Sequence, residues 1–443
     1  MVSLKVSDPD LGPGLITKPA DIVIRREEHM DPGGNPKKTV FNDLIRRSGP
    51  VRDIETIDAS GIRLQRCTGE FWTSAQRKAA SLHEISYRAC FKPQLPRFFI
   101  TGLTHEGDRV YDPFSGRGTT VIEAGLLGRS VTSNDANPLS RILTRPRFFI
   151  PLEKEVAARL EKIAPRNEAK AGIHLSMFYE PKTEREIVTL RDYLLEREET
   201  RETDAVDSWI RMVATSRLTG HSPGFFSVYT LPPNQAVSPD RQVLINTQRK
   251  QVPEYRNIRD LILRKTRSLV RGLSPEECNN LKKAGTDGLF LTGDSRNTPA
   301  IPDESISLTV TSPPFLDTVQ YAKDNWLRCW FNGLDGEGIE RDLTVTRSLE
   351  SWCRVMEATF RELFRVTVPG GHVAFEVGEV RRGRIRLDEQ VLPAGMAAGF
   401  TPLGILINLQ RFTKTSHIWG IGNNDSGTNT NRIVLFKKGS SSD

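Results

Sequence analysis

Residues 108–127 read "DRVYDPFSGRGTTVIEAGLL". An apolar run enters a turn carrying Gly116 and Gly118, and an apolar helical pattern leaves it. A strand followed by a helix, then by a further strand at "SVTSND", is the unit of a sheet with helices packed on it. The same alternation returns after residue 286, with strands at "LFLTGD", "SLTVTS", "HVAFEVG", "LGILINLQR" and "RIVLFKK" and a helix at "SWCRVMEATFRELFRV". Strands alternating with helices imply a parallel or mixed sheet covered on both faces. The expected fold class is therefore α/β.

The intervening chain has a different texture. From 146 to 285 it is mostly helical and highly charged; "KTEREIVTLRDYLLERE", "AVDSWIRMVATSRL" and "YRNIRDLILRKTRSLVRGL" each carry apolar residues at helical spacing. Residues 1–75 begin with stretches rich in Pro, Gly and charge, and read as a partly irregular N-terminal arm with one short strand at "ADIVI". The expected layout is one α/β domain formed by residues 76–145 and 286–443, interrupted by a helical insert at 146–285.

Composition bounds the function classes. The 443 residues are 37% hydrophobic and 26% charged, enough for a buried core in a soluble chain. Five cysteines make no CxxC pair and seven histidines no HExxH or HxH cluster, so no metal site is expected and a reducing cytoplasm fits. No apolar run approaches the ~18 residues of a membrane span, and no signal peptide is visible. A net charge of +7 permits a polyanionic partner without requiring one.

The glycine turn suits a ligand. Glycines let backbone approach a bound group closely, and the following helix N-terminus offers free N–H groups. Asp112 ends the strand, where a carboxylate can pair with a ligand ammonium. Asp135 ends the next strand, at the distance where an acid can bond ribose hydroxyls. GxxxxGK[ST] is missing, so this is no P-loop, and Val121 stands where a dinucleotide fingerprint has its third glycine. A second unusual stretch, "TSPPF" at 311–315, ends an apolar strand with a serine, two prolines and an aromatic ring. Two prolines stop the ladder and stiffen the backbone.

Together these segments resemble the amino-group DNA methyltransferases. "DPFSGRGTT" is similar to their S-adenosylmethionine motif, and "TSPPF" to their (Asp/Asn/Ser)-Pro-Pro-(Tyr/Phe/Trp) catalytic motif. "LTGDS" resembles the strand end whose acid, here Asp294, meets the cofactor's adenine. "ISYRACFKPQLPRFFI" resembles the segment beside the methionine moiety, with Lys92 and Pro93 at its centre. "ELFRVTVPGGHVAFEVGEV" resembles the helix–turn–strand after the catalytic motif, with Pro369-Gly370-Gly371 as the turn. The resemblance covers about residues 80–145 and 286–440, with the cofactor half first; Arg117 departs from the small residue common in the family. It implies a Rossmann-like methyltransferase sheet, mostly parallel, of about seven strands with a C-terminal antiparallel hairpin. It also implies S-adenosylmethionine as cofactor, held by Lys92, Pro93, Asp112, Phe114, Gly116, Gly118, Thr119, Thr120, Asp135 and Asp294, and catalysis by Ser312, Pro313, Pro314 and Phe315.

The chemistry explains the motif. An exocyclic amine on a base is a poor nucleophile because its lone pair is delocalised into the ring. Two acceptors gripping its hydrogens, Ser312 Oγ and the Pro313 carbonyl, can push the nitrogen toward sp³ geometry. Phe315 either stacks on a base flipped out of the duplex or packs in the core. No tuned general base is evident from sequence. Serine at the first position resembles the N4-cytosine branch more than the N6-adenine branch; a tRNA guanine-N2 enzyme is a further rival. The implied partners are double-stranded DNA and a cognate restriction endonuclease, with no membrane, and the implied location is the cytoplasm at the nucleoid.

Target contact is expected from the insert. Residues 241–271 hold nine Arg/Lys against two acids, a phosphate-contacting surface when set beside such a core. The candidates are Arg249, Lys250, Arg256, Arg264 and Lys265, with Arg217 and His221 from "SRLTGHSPGFFSVYTLPPNQ". The aromatics of that loop, Phe225, Phe226 and Tyr229, either stack on bases or pin the loop to the core. In "LDTVQYAKDNWLRCWFNG", Trp326 and Trp330 read as core contacts of a helix, while Asp317 or Tyr321 could reach the base pocket. Asn429 or Asn431 caps the last loop or touches the flipped nucleotide.

Overall fold

A computed structural model of the chain describes residues 23–25, 40–47, 51–59, 61–71, 79–87, 91–164, 168–230, 236–316, 321–342, 348–380, 383–409 and 430–440. Its first third contains β1 (Val23–Arg25), α1 (Val40–Arg47), β2 (Val51–Ala59), β3 (Ile62–Gly69), α2 (Gln94–Leu103), β4 (Arg109–Asp112), α3 (Thr119–Leu126), β5 (Ser130–Asp135) and α4 (Leu139–Thr144). Among the described residues, helices then follow without a sheet strand: α5 (Glu153–Lys162), α6 (Pro181–Glu199), α7 (Ala205–Arg217), α8 (Pro239–Arg249), α9 (Ile258–Val270) and α10 (Pro275–Thr286). The last third holds β6 (Leu289–Thr292), β7 (Ile306–Thr311), α11 (Tyr321–Asn332), α12 (Gly336–Asp342), α13 (Leu349–Val366), β8 (Thr367–Val377), β9 (Glu379–Val380), β10 (Ile385–Arg386), α14 (Asp388–Ala397), β11 (Thr401–Leu409) and β12 (Thr430–Lys437).

The main sheet runs β1-β2-β3-β11-β12-β8-β7-β4-β5-β6. From β8 through β6 all pairings are parallel, while β12 is antiparallel to both β8 and β11. This is the Rossmann-like sheet with its C-terminal antiparallel hairpin. Burial explains the parallel block: Val110, Tyr111, Leu308 and Val310 are inaccessible to solvent, as strands covered on both faces must be. Helix α13 shows the complementary pattern. Trp352, Met356, Phe360, Leu363 and Val366 recur at steps of four and three and bury one face, with Phe360 against Phe375, Phe400 and Phe436.

Two features differ from the sequence expectation. The N-terminal region is less irregular than its composition suggests: β2 and β3 form an antiparallel hairpin, and β3 pairs in parallel with β11, so the sheet is wider than seven strands. The period-two signal there is diluted by charge, since β2 keeps most of one face toward solvent. The Pro369-Gly370-Gly371 turn lies inside β8 as a bulge. Ile306 pairs with Thr367 and Leu308 with His372, and Gly370 takes φ +80°.

The topology selects one crevice. From β4 the sheet grows in one direction through β5 and β6 and in the other through β7 and β8. The switch point therefore lies between β4 and β7, and ligands of open α/β sheets bind beyond the carboxyl ends of the strands there.

Candidate active site

The carboxyl ends of β4 and β7 bring the two sequence motifs together. Asp112 ends β4 and Thr311 ends β7, and Thr311 Oγ1 donates to Asp112 Oδ1 at 2.6 Å. The Phe114 N–H donates to the same oxygen at 3.1 Å. Thr120, at the start of α3, donates to the Val310 carbonyl at 2.9 Å. The glycine turn and the Ser-Pro-Pro-Phe segment are thus cross-linked beneath the crevice. Burial raises the Asp112 carboxyl to about 7, against the hydrogen bonds that favour its charge. A cation arriving there would be met by a carboxyl with much to gain from it.

Ser115–Gly118 form the turn itself. Gly116 and Gly118 have φ of +52° and +76°, a region costly for side-chain-bearing residues. At Gly118 a Cβ would lie 2.4 Å from Thr144 Cγ2 in α4, so close approach as well as conformation demands glycine. The Gly116 N–H donates to Asp135 Oδ2 at 2.8 Å, and the Asn137 N–H to Asp135 Oδ1 at 2.8 Å. Asp135 Oδ2 therefore braces the turn and Oδ1 the chain just after β5, and burial lifts this carboxyl to about 6. The Arg117 guanidinium spans from the turn to a neighbouring segment: Nε donates to Thr119 Oγ1 at 3.3 Å and a terminal nitrogen to the Ile85 carbonyl at 3.0 Å. The fully buried Arg147 reaches the carbonyls of Arg117, Leu82 and Leu143. Nothing in its sequence position signals that role.

The remaining cofactor candidates are less engaged. Thr119 and Thr120 are buried at the first turn of α3, and Phe114 is half-buried against the hydrophobic cluster of α13. Lys92 and Pro93 lead into α2, their carbonyls accepting from Leu95 and Arg97. Asp294 follows β6, next in the sheet to Asp135; the Gly293 N–H donates to the Asp135 carbonyl at 3.1 Å. Its half-exposed carboxylate is forked by Arg296, which holds its pKa down.

At the end of β7, Ser312 lies near enough to Glu376 of β8 to favour its charged form, and Asn431 Nδ2 of β12 donates to Glu376 Oε1 at 2.6 Å. Glu376 is buried, and burial raises it to about 7. This acid was missed by the sequence reading because "HVAFEVG" places it on a strand interior, where only the pairing of β7, β8 and β12 shows what it faces. Asn431 thus bonds an acid; the loop before it, Asn429 and Asp317 lie outside the described residues. Trp352 Nε1 donates to the Pro314 carbonyl at 2.9 Å. Among the described residues the Pro313 carbonyl accepts no hydrogen bond. Phe315 is partly buried against the α13 cluster, between the two readings of its sequence. Trp326 and Trp330 pack into the core and donate to the Val237 and Ala171 carbonyls.

The expected nucleic-acid contacts divide. Arg249, Lys250, Arg264 and His221 are exposed, with Arg249 stacked 3.7 Å over Tyr229. Two others do not stand on a solvated face. Lys265 is buried and bonds Glu84 at 3.3 Å. Arg256 is half-buried and ties down the Ser222 and Phe225 carbonyls. Both lie on sides of their segments that the basic count alone does not distinguish. Phe225 and Phe226 are buried, so the loop is pinned by its own aromatics.

Comparison with known proteins agrees with the motifs. The sequence family described as DNA methylase matches residues 32–156. The chain is 23% identical over 317 residues to the type II methyltransferase M.BsoBI of Geobacillus stearothermophilus, covering 65% of this chain and 60% of that protein. It thus spans under two thirds of that relative's length. Among solved structures, TTHA0409 of Thermus thermophilus, a candidate DNA modification methylase, is 25% identical, with 34% and 52% of the two chains covered and a TM-score of 0.21. Geranyl diphosphate C-methyltransferase of Streptomyces coelicolor A3(2) is 8% identical, with 78% and 75% covered and a TM-score of 0.32. The chain resembles amino-group DNA methyltransferases; these matches do not separate N4 from N6 chemistry.

Proposed function

We propose that this chain is an S-adenosylmethionine-dependent DNA methyltransferase acting on the exocyclic N4 amine of a cytosine flipped out of duplex DNA. The observation that carries the reading is the Thr311–Asp112 bond of 2.6 Å across the topological switch point, which joins the glycine turn to the Ser-Pro-Pro-Phe segment. The fit to the cofactor rests on the glycine turn that leads into the N-terminus of α3 and on the buried Asp112 carboxyl, which an ammonium group would hold ionised. Asp294 is placed by sheet order on the far side of Asp135, the direction in which an adenosine would extend. When bound, the cofactor supplies a methyl group on a sulfonium, a good leaving group.

The chain's own residues supply orientation and proton removal. Ser312 Oγ and the Pro313 carbonyl accept the two amine hydrogens and turn the nitrogen lone pair out of the ring plane. With its proton turned to the neighbouring Glu376, Ser312 would keep its lone pairs available. With the methyl group supplied by the bound cofactor, Ser312 Oγ would take the amine proton while the serine proton passes to Glu376. Trp352, by holding the Pro314 carbonyl, keeps the proline pair from swinging. Phe315 backs the base.

The test is to incubate the protein with methyl-labelled cofactor and either duplex DNA or tRNA, then digest to nucleosides. Label in N4-methylcytosine is expected. Label in N6-methyladenine would overturn the choice of base, and label confined to tRNA would overturn the choice of substrate.

A further inference from the structure

Arg217 is the last residue of α7, and its guanidinium lies 4.0 Å from the centre of the Phe225 ring. Its Nε donates to the Ser216 carbonyl at 3.0 Å. Its two terminal nitrogens make no hydrogen bond, and no carboxylate comes within ion-pair distance of it, among the described residues. A half-buried arginine held face-on by an aromatic ring, with its fork uncommitted, is preorganised for a planar or tetrahedral oxyanion. The neighbourhood is cationic. Lys265 lies close by, joined to Glu84, and Arg328 donates to the Ser86 carbonyl at 3.1 Å. Burial and Arg328 together push Arg217 down to about 10, with Glu84 pulling the other way. An arriving anion would relieve that stress.

This cluster sits one short segment from the candidate active site. Glu84 and Tyr87 lie three positions apart in the chain, a reach of at most ~10 Å. Tyr87 packs beside Gly116, and its hydroxyl accepts from Asn137 at 3.3 Å. Ser81, at the other end of the segment, is bonded to the Leu269 and Arg271 carbonyls at the end of α9. We propose that Arg217 clamps one backbone phosphodiester of the DNA strand beside the extruded nucleotide. The identity of the strand as DNA rests on the methyltransferase reading; the oxyanion clamp does not.

The closing experiment reads binding without methyl transfer. Anisotropy of a labelled mixed-sequence duplex is measured over a salt series for the wild type, Arg217→Gln and Arg217→Lys, with S-adenosylmethionine affinity as the folding control. Losing one phosphate contact should weaken duplex binding about tenfold and flatten the slope of log affinity against log salt by about 0.9. Arg217→Lys keeps the charge but not the fork, so its slope should stay near wild type while affinity falls. Unchanged duplex affinity and slope in an Arg217→Gln protein that still binds cofactor overturns the clamp, whatever base is methylated. The same loss seen with tRNA and not with duplex, or competition by millimolar inorganic phosphate equal to that by duplex, overturns the assignment to a DNA phosphodiester. If the salt signature is present but no methylated nucleoside forms, the clamp stands and the methyltransferase reading falls.

Discussion

Glu376 is the residue on which the chemistry turns. It is buried, it neighbours Ser312, and it sits near 7, where a carboxyl can accept a proton and still be ionised at neutral pH. Turnover should therefore rise with pH through about 7, as Glu376 loses its proton. Glu376→Gln should remove that limb and lower kcat by about 10²-fold or more. Ser312→Ala should lower kcat by a similar factor, with cofactor affinity nearly unchanged, as for a contact made at the transition state. Pre-steady-state methyl transfer over a pH series checks both. A Glu376→Gln enzyme with the wild-type profile would remove the proton relay, and loss of cofactor affinity with unchanged turnover would move Ser312 out of catalysis. The serine was legible in sequence because two prolines and an aromatic ring flank it. The glutamate was not, because a lone acid in an apolar run looks the same whether it faces solvent or a hydroxyl.

At the scale of elements, the turn between β4 and α3 is held by conformation and by crowding at once. Gly118→Ala would put a methyl group in the left-handed region, costing about 1–2 kcal/mol. It would also drive that group into the buried Thr144, for a further 1–3 kcal/mol or so. Gly172 supplies the control: its φ is +69°, but nothing lies within 4 Å of a Cβ there. Chemical denaturation should show Gly172→Ala costing about the conformational term alone, and Gly118→Ala distinctly more, with weaker cofactor binding. Equal costs at the two positions would mean that α4 does not crowd the turn. The strand–turn–helix order was readable from residues 108–127, since glycine spacing and apolar period are local. The hairpin of β2 and β3 was not. Its strands alternate weakly and gain their stability from the edge of β11, which arrives more than 300 residues later.

Across the whole molecule, buried titrating groups pull stability in opposite directions between pH 4 and 7. Asp112, Asp135 and Glu376 keep their protons in the folded chain to higher pH than in the unfolded chain, so their contribution is lost as pH rises toward 6–7. His372, pushed down to about 4 by burial, works the other way. Asp112→Asn isolates one contribution. The melting temperature of the wild type minus that of Asp112→Asn should fall as pH rises from about 5 to 8. S-adenosylmethionine should reduce that fall by favouring the charged carboxylate. A difference that stays flat with pH would show that Asp112 is ionised in the free protein.

Local pattern in the sequence determined the α/β class, the glycine turn, the proline-stiffened strand end and the helical character of residues 146–285. Each depends on neighbours within a turn or two of chain. Only the tertiary structure decided that β4 and β7 are adjacent, that Thr311 grips Asp112, and that Glu376 takes Asn431 and neighbours Ser312. It also separated a clamping Arg217 and a buried Lys265 from the exposed Arg249, Lys250 and Arg264. The physical reason is the same in every case. Sheet order and burial are set by contacts between segments far apart in the chain, and charge count or strand period along one segment carries no record of what lies across from it.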